Sequence, residues 1–317
     1  MPGCAKGGVR VLLSTVLKLL GAITLAVITL VGCQTIRNSG NTPLQEPTAD
    51  TLRVATYNVH YIILSRETGA WSLGDWDRRK APLDLAFKEI SADVIGFQEM
   101  ESFAGGNSGS VNLTLDWLLK NNPDYAAAAV GDPSIFPSTQ PILYRANRLR
   151  LLDQGWFFFS DTPDVIYSRT FNGSYPAFAS WAQFRDLATG TVFRVVNLHT
   201  DYGSRSNRMQ SVELVAKRVA PWIAAGETLF LVGDINARFG DPVLEVLEET
   251  GLTFAPVEGS TYHLNWGLNL FGAIDHIAHI GDATPVSAPV VLRQEFAGEW
   301  PTDHYPVIVD YQLGGAQ

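Results

Sequence analysis

Cysteine is almost missing. The 317 residues contain two, Cys4 and Cys33, and both fall within the first 33 positions. From residue 34 onward no internal disulfide can form and no thiolate can bind a metal, so stability there must come from a packed core. Charge is sparse as well: charged residues make up 17% of the chain against 46% hydrophobic ones, which excludes a disordered composition. Basic side chains are outnumbered 23 to 32, for a formal net charge of −9. That balance lowers any general attraction to a phosphate backbone, although a bound cation or a local arginine cluster can still draw in a polyanion. No internal period marks a repeat array. Nor does a break in composition divide residues 51–313, which read as one domain large enough to bury a sizeable core.

What is present begins with a distinct leader. Residues 1–32 carry Lys6, Arg10 and Lys18, no acids, and an apolar run from Leu19 to Val31. A basic start, a short apolar stretch and small residues before the break read as an export signal. Leu30-Val31-Gly32-Cys33 resembles the lipobox of bacterial lipoproteins, which implies a lipidated Cys33 anchoring the chain to a membrane at the cell envelope. The alternative is an uncleaved membrane anchor, since Val11 to Val31 approaches the roughly 20 residues a span needs. Without the leader's three cations the balance is 20 basic against 32 acidic residues, or −12. Residues 33–50, poor in apolar side chains and holding Asn, Ser, Gly, Thr and Pro, read as a flexible tether.

From Thr51 on, strand-like and helix-like runs alternate, which predicts an α/β architecture. Strands are expected at 52–62, 93–100, 141–145, 150–160, 273–280 and 304–313, with a hairpin across 181–200 turning at Ala188-Thr189-Gly190. Helices are expected at 77–90, 112–123, 208–223 and 241–250, the last closed by Gly251.

Several of these strands end in groups suited to a metal or a phosphate. The stretch "LFLVGDINARFG" (229–240) runs from a buried-looking strand into Asp234 and Asn236; others end in Asn58 and His60, Gln98-Glu99, Asn197 and His199, Ile274-Asp275-His276 and Thr302-Asp303-His304. One polar strand end is ordinary, but six in a chain with so few charges point to a shared site. Hard oxygen ligands without cysteine suit Mg²⁺ or Mn²⁺ better than Zn²⁺. Histidine beside a carboxylate suits proton transfer near neutral pH. Together they fit metal-assisted attack of water on a phosphoester.

In order and spacing, "TYNVH", "GFQEM", "NLHTD", "GDINAR", "AIDHI" and "TDHYPV" resemble the motifs of the endonuclease/exonuclease/phosphatase superfamily, the DNase I-like fold, over about residues 51–313. The resemblance implies a four-layer α/β/β/α sandwich of two packed mixed sheets, with the active site at one edge. Carried onto matching positions, it implies Glu99 as principal Mg²⁺ ligand, with Asn58 near metal and phosphate and Asp303 beside the metal. Asp234 and Asn236 match the pair that orients the nucleophile and contacts the phosphate. His304 matches the general base and Asp275 the carboxylate orienting it. His199 matches a histidine that stabilises the phosphate or assists the leaving group, as in the DNase I, sphingomyelinase and deadenylase branches. Tyr144, in "PILYR", matches a tyrosine that hydrogen-bonds near the phosphate. Two departures stand out: Phe271-Gly272-Ala273-Ile274 is apolar where relatives often have an arginine, and "SYPAFASWAQF" (174–184) lacks the cation expected of a nuclease.

Other residues read more plainly. His276 and His279 alternate with Ile274, Ile277 and Ile280 and are expected to be structural; His60 either faces the site or flanks it, and His263 is unassigned. Arg78 and Arg79 are expected to be solvated, whereas Arg205 and Arg208 could reach the site mouth. "GWFFFS" (155–160) is expected in the core, and Trp71, Trp76, Trp266 and Trp300 could wall a substrate site. The expected protein is therefore an exported, monomeric, Mg²⁺- or Mn²⁺-dependent phosphoester hydrolase acting on nucleic acid, a phospholipid head group or a small phosphate ester. A non-catalytic surface binding module is the alternative from another class.

Overall fold

The computed structural model describes residues 5–40, 42–103, 111–173 and 175–314; residues 1–4 of the expected export signal, and 104–110 and Ser174 of the expected domain, lie outside the described residues. One sheet runs β13 (Ala283–Pro285), β15 (Val307–Leu313), β1 (Leu52–Asn58), β3 (Val94–Gln98), β6 (Ile142–Arg145), β5 (Tyr125–Ala128), with β14 (Val290–Val291) also on β15. The other runs β11 (Thr253–Phe254), β12 (Asp275–Ile280), β10 (Thr228–Asp234), β9 (Val192–His199), β8 (Phe178–Asp186), β7 (Leu149–Phe158). A short parallel pair joins β2 (Ile62–Ile63) and β4 (Ser102–Phe103). Both main sheets mix parallel and antiparallel pairs.

Period-two alternation decides which side chains meet between the sheets. In β1, Leu52 and Val54 join the core between the sheets while Ala55 and Tyr57 face the helices α2 (Leu73–Ile90) and α3 (Leu113–Asn121). In β10, Phe230 and Val232 face inward while Leu229 and Leu231 pack toward α4 (Arg205–Ala224) and α5 (Pro242–Glu248). The result is the four-layer α/β/β/α sandwich that the motifs imply. Gly96 permits the close approach of the sheets: a Cβ there would sit 2.6 Å from Val232 Cγ2 and 3.0 Å from the Asn197 amide.

The elements follow the predicted order, with informative differences. α2 starts four residues before the expected 77, because the Ser72 hydroxyl caps it by accepting from Asp75 N at 3.1 Å. The strands β2, β4, β5, β11, β13 and β14 are two to four residues long, too short to carry a period. Residues 38–40 and 45 of the expected tether bond to the domain, and Asn41 lies outside the described residues. Ser260 N donates to Asn38 O at 2.9 Å, Asn269 Nδ2 to Ser39 Oγ at 2.7 Å, Arg53 Nη2 to Gln45 O at 2.6 Å, and Arg293 to Gly40 O. These are mostly backbone acceptors, which composition does not reveal. Before them, a single helix α1 (Ala5–Arg37) contains a stretch, Thr15–Arg37, long and apolar enough to cross a membrane; Cys33 is exposed on it.

Candidate active site

The inward-facing parity runs on to the strand ends. Asn58 closes β1, Asp234 closes β10, and Asp275, opposite Asp234 in the antiparallel register, opens β12. All three lie at one end of the seam between the sheets. Asn58 Nδ2 donates across it to Asp234 Oδ2 at 3.1 Å and also reaches Glu99 Oε1 at 3.3 Å. His199 ends β9 beside Asp234, and its Nε2 lies 3.7 Å from both Glu99 Oε1 and Asp234 Oδ2. His304 Nδ1 meets Asp275 Oδ2 at 2.9 Å, which turns Nε2 toward Asp234 Oδ2 at 3.7 Å. The same parity explains why Asp275 belongs to the site and His276 does not: His276 faces outward, bonds Ala237 O at 2.8 Å and packs on Phe239 and Phe254.

Turns aim the remaining groups. Glu99 has φ +54° and Asn236 φ +52°, left-handed conformations that swing each away from its strand line. Asn236 N donates to Asp234 Oδ1 at 3.0 Å and its Nδ2 to Thr200 O at 3.0 Å, tying it to the end of β9. Gly233 has φ +148°, and a Cβ there would fall 2.0 Å from Leu198 O, so the "GDIN" turn accepts no other residue without moving β9. Thr302 Oγ1 donates to Asn58 O at 3.1 Å, and Asp303 Oδ1 lies 3.2 Å from the same hydroxyl. Thr261 Oγ1 accepts from Asp275 N at 3.1 Å.

Tyr144 is a correction. It pairs with Val94 and Ala126 at the end of β6 remote from the site, and its ring packs 4.9 Å from Phe184. β6 runs antiparallel to β3, so its start, not its end, approaches the seam mouth; the residues that reach the cavity there are Thr139 and Gln140. Tyr144→Phe is accordingly expected to change kcat/KM by less than about threefold, since no hydrogen bond near the phosphate is lost; steady-state assay of the variant checks this.

The tyrosine beside the cluster is Tyr175, whose ring centroid lies 6.0 Å from that of His199 and whose buried hydroxyl has no partner among the described residues. The register Ala179↔Leu198 sets residues just before β8 beside the end of β9. Extending the hairpin turn at 188–190 along both strands finds this position from sequence.

Arg79 is a second correction. It is 2% exposed and donates to Val59 O (2.9 Å), His60 O (3.1 Å) and Pro301 O (3.3 Å), clamping the segments that carry Asn58 and Asp303. Burial lowers it to about 10. Arg79→Met is expected to destabilise the chain by about 3 kcal/mol, because three buried carbonyls lose a charged donor; urea denaturation measures it. Arg205 approaches Asp241 at 3.6 Å, and Arg208 holds the loop after His199 through Asp201 O (2.8 Å) and Tyr202 O (2.9 Å). His263 stacks on Tyr305 at 4.1 Å, and burial drops it to about 4. His60 is buried and held neutral, lowered to about 4 by burial and Arg79, and its backbone N–H donates to Asn58 Oδ1 at 3.1 Å.

The electrostatics of the cluster suit a cation. Burial and then Asp303 raise Glu99 to about 7, while burial and then Asp275 raise Asp234 to about 6. Burial likewise lowers His199, against the pull of Asp234. Burial also opposes charge on His304, yet Asp275, Asp234 and Asp303 outweigh it and lift the imidazolium to about 10. Asp234, Asp275 and His304 place donor atoms within 4.8 Å of one another, a group that could hold a metal ion. Of these, His304 Nδ1 and Asp275 Oδ2 are already spent on each other. Asp234 accepts at Oδ1 from Asn236 N and at Oδ2 from Asn58 Nδ2, and Asp275 Oδ1 has no partner among the described residues; a hard divalent cation would draw on Glu99 and Asp234, with the Asn58 amide and Asp303 adjoining.

Three comparisons bear on this site. The model of the Endonuclease/Exonuclease/phosphatase family matches residues 55–304. No match was found among curated proteins. Among solved structures, an endonuclease/exonuclease/phosphatase family protein from Bacteroides thetaiotaomicron is 23% identical, with a TM-score of 0.70, over 84% of this chain and 98% of that one. A mannosyl-6-phosphatase from the same organism is 22% identical (TM-score 0.68; 82% and 99% covered). The human Nocturnin catalytic domain with bound sulfate is 15% identical (TM-score 0.58; 85% and 97%). At these identities the likeness is one of fold.

Proposed function

Since the chain belongs to the endonuclease/exonuclease/phosphatase family, whose members are phosphoester hydrolases, we propose that it is a divalent-cation-dependent phosphodiesterase using Mg²⁺ or Mn²⁺. In this reading the chain is exported, held at a membrane through Cys33, and acts as a monomer. The observation that carries the catalytic reading is the gathering of Asn58, Glu99, His199, Asp234 and the His304–Asp275 pair at one end of the seam. Glu99, with Asp234, Asn58 and Asp303, would hold the cation, which when bound neutralises charge on the phosphate oxygens.

The chain's own residues supply the rest. Asp275, accepting from Nδ1, fixes the tautomer of His304 and presents Nε2 to take a proton from water. In the cation-free cluster the carboxylates, Asp275 first, favour imidazolium; a cation on Asp234 would remove part of that pull and lower His304. Asn58 Nδ2 (3.3 and 3.1 Å) and His199 Nε2 (3.7 Å) both approach Glu99 Oε1 and Asp234 Oδ2, so they border the space beside the cation, where non-bridging phosphate oxygens would accept from them. The lack of a cation in 174–184 favours small or lipid-borne esters over long nucleic acids, although Arg238 lies over Phe271 where the sequence motif itself is apolar. A phosphatase stands among the structural neighbours, so monoesters belong in the test.

The test incubates the full chain in detergent with bis-p-nitrophenyl phosphate, p-nitrophenyl phosphate, plasmid DNA, RNA and sphingomyelin, after EDTA and after adding back Mg²⁺ or Mn²⁺. Turnover of a diester that vanishes with EDTA and returns with cation is expected. Equal turnover with and without EDTA, or none on any substrate, contradicts the reading.

A further inference from the structure

Trp266 takes no part in the cluster. It is 77% exposed and pairs with no aromatic ring among the described residues. The cavity of about 560 Å³ beside the cluster, walled by Tyr61, Glu101, Phe103, Tyr175 and Phe178 among others, does not include it. The loop that carries Trp266 is firmly built. Leu264 and Asn265 both take left-handed conformations (φ +61° and +58°), and the carbonyl of buried His263 accepts from Trp266 N at 3.1 Å and Leu268 N at 3.3 Å. Two more apolar side chains are turned to the surface here, Leu264 (36% exposed) and Phe271 (42%). Phe239, on the loop after β10, adjoins them through Arg238, whose guanidinium lies 6.0 Å from the Phe271 ring. Residues 259–274 contain no Asp, Glu, Lys or Arg. Single exposed apolar residues are ordinary, but an uncharged loop that presents three of them marks an interaction surface.

The candidate anchor ends at this loop. Asn38 directly follows the apolar stretch Thr15–Arg37 and is already bonded to the domain. Its Nδ2 donates to Asn269 O at 3.1 Å, its carbonyl accepts from Ser260 N at 2.9 Å, and Asn269 Nδ2 donates to Ser39 Oγ at 2.7 Å. Arg293 closes the joint by donating to Gly40 O, to Glu258 O and, at 2.9 Å, to Ser260 O. The joint holds for either form of anchor. A membrane around α1 ends beside Asn38, and a lipid on Cys33 lies five residues away, at most about 18 Å of extended chain. Ser260 and Asn269 flank Trp266 in the same segment, so a bilayer on the anchor has this loop as its neighbour.

The side chains suit that neighbour. An indole ring, apolar in body with one polar N–H, settles at head-group level, where Leu and Phe gain by leaving water. Arg37, Arg238 and Arg293 border the uncharged stretch, and they offset the repulsion that a chain of net charge −9 meets at an anionic lipid surface. We propose that loop 264–271 is a membrane-seating surface, with Leu264, Trp266 and Phe271 entering the interface of the bilayer that holds the anchor. This rests on the membrane-held reading above. Phe271 lies four residues before Asp275 and Arg238 two after Asn236, so seating the loop turns the catalytic edge of the sandwich toward the lipid head groups.

The test reads tryptophan fluorescence. The full chain is reconstituted from dodecyl maltoside into nanodiscs of phosphatidylcholine and phosphatidylglycerol, the phosphatidylcholine being either ordinary or brominated near the glycerol end of its acyl chains. Discs are isolated by size exclusion before measurement. α1 contains no tryptophan, so bromine quenching reports on the domain alone. Quenching is expected, with at least half of it lost in Trp266→Phe and none lost in Trp222→Phe. Trp222 is the control because its carbonyl accepts from Glu227 N just before β10 starts, at the far end of that strand from Asp234. Leu264→Ser combined with Phe271→Ser, both at exposed positions, is expected to cut the quenching at least twofold. A chain that enters the discs without being quenched, equal quenching with and without Trp266, or quenching untouched by the double substitution overturns the proposal and leaves the surface to a protein partner. A chain absent from the disc fraction overturns the membrane-held reading instead, and this inference falls with it.

Discussion

Replacing His304 with alanine is expected to lower kcat about a thousandfold, the loss typical of removing a positioned proton acceptor. The expectation follows from geometry: Nδ1 is committed to Asp275 Oδ2 at 2.9 Å, so Nε2 is the only ring atom available to the reacting water. Removing the ring also leaves a buried carboxylate without its partner, since Asp275 is 0% exposed. The melting temperature should therefore fall too, and the kinetic comparison belongs well below it, with far-ultraviolet circular dichroism confirming the fold. His304→Asn, which retains a polar group in the site, should lose nearly as much activity with less stability. Activity within a few-fold of the unaltered chain in both variants would remove His304 from the chemistry.

The second large effect concerns Glu99. Glu99→Gln is expected to reduce kcat/KM by roughly a thousandfold at limiting cation, as several kcal/mol of charge stabilisation are lost. It should also move the midpoint of the Mg²⁺ titration upward by at least about tenfold. A pH dependence accompanies it. Glu99 and Asp234 titrate in the folded chain at about 7 and about 6, above their ordinary 4.5 and 3.8, so between these values the folded state holds more protons than the unfolded one. Stability of the EDTA-treated chain should thus fall as pH rises from about 4 to 7. His304 adds to the decline above its ordinary 6.5: its folded value is raised to about 10, so its contribution is complete below 6.5 and lost as pH climbs to 10. Cation binding relieves the carboxylates, so the rise in melting temperature caused by Mg²⁺ should grow from pH 5 to 8 and be much smaller in Glu99→Gln. A cation-induced rise independent of pH, or undiminished in the variant, would contradict Glu99 as a ligand.

Much of this site was readable because strand parity is simple physics. Asn58, Asp234, His199 and Asp275 are strand-end residues whose inward direction follows from an apolar residue two or four places along the same strand: Val54, Val232, Val195 and Ile277. The same rule correctly set His276 aside. Tyr144 failed for the opposite reason: motif matching assigned it a role, but the direction of β6 carries it away from the seam mouth, and nothing local in "PILYR" reveals that direction. Arg79 looked like a solvated helix-start charge, yet the carbonyls it serves, Val59, His60 and Pro301, come from loops scattered over more than two hundred positions. Such long-range backbone contacts leave no periodic trace. The tether shows the same limit, for its composition is that of a linker while the carbonyls of Asn38, Gly40 and Gln45 are bonded to the domain. The aromatic cavity could be glimpsed only in part: the hairpin places Tyr175 and Phe178 beside His199, but Tyr61, Phe103 and Glu101 arrive there through turns.

The most direct test of the account is where the water oxygen goes. The full chain with Mg²⁺ would hydrolyse bis-p-nitrophenyl phosphate in water enriched in ¹⁸O, and both products would be read by mass spectrometry. Water attack at phosphorus beside Glu99 and His304 predicts one ¹⁸O in each p-nitrophenyl phosphate, none in p-nitrophenol, no labelled product with EDTA, and labelled product formed about a thousandfold more slowly in His304→Ala. Label in the phenol, or label in the phosphate that persists without a divalent cation, would contradict it.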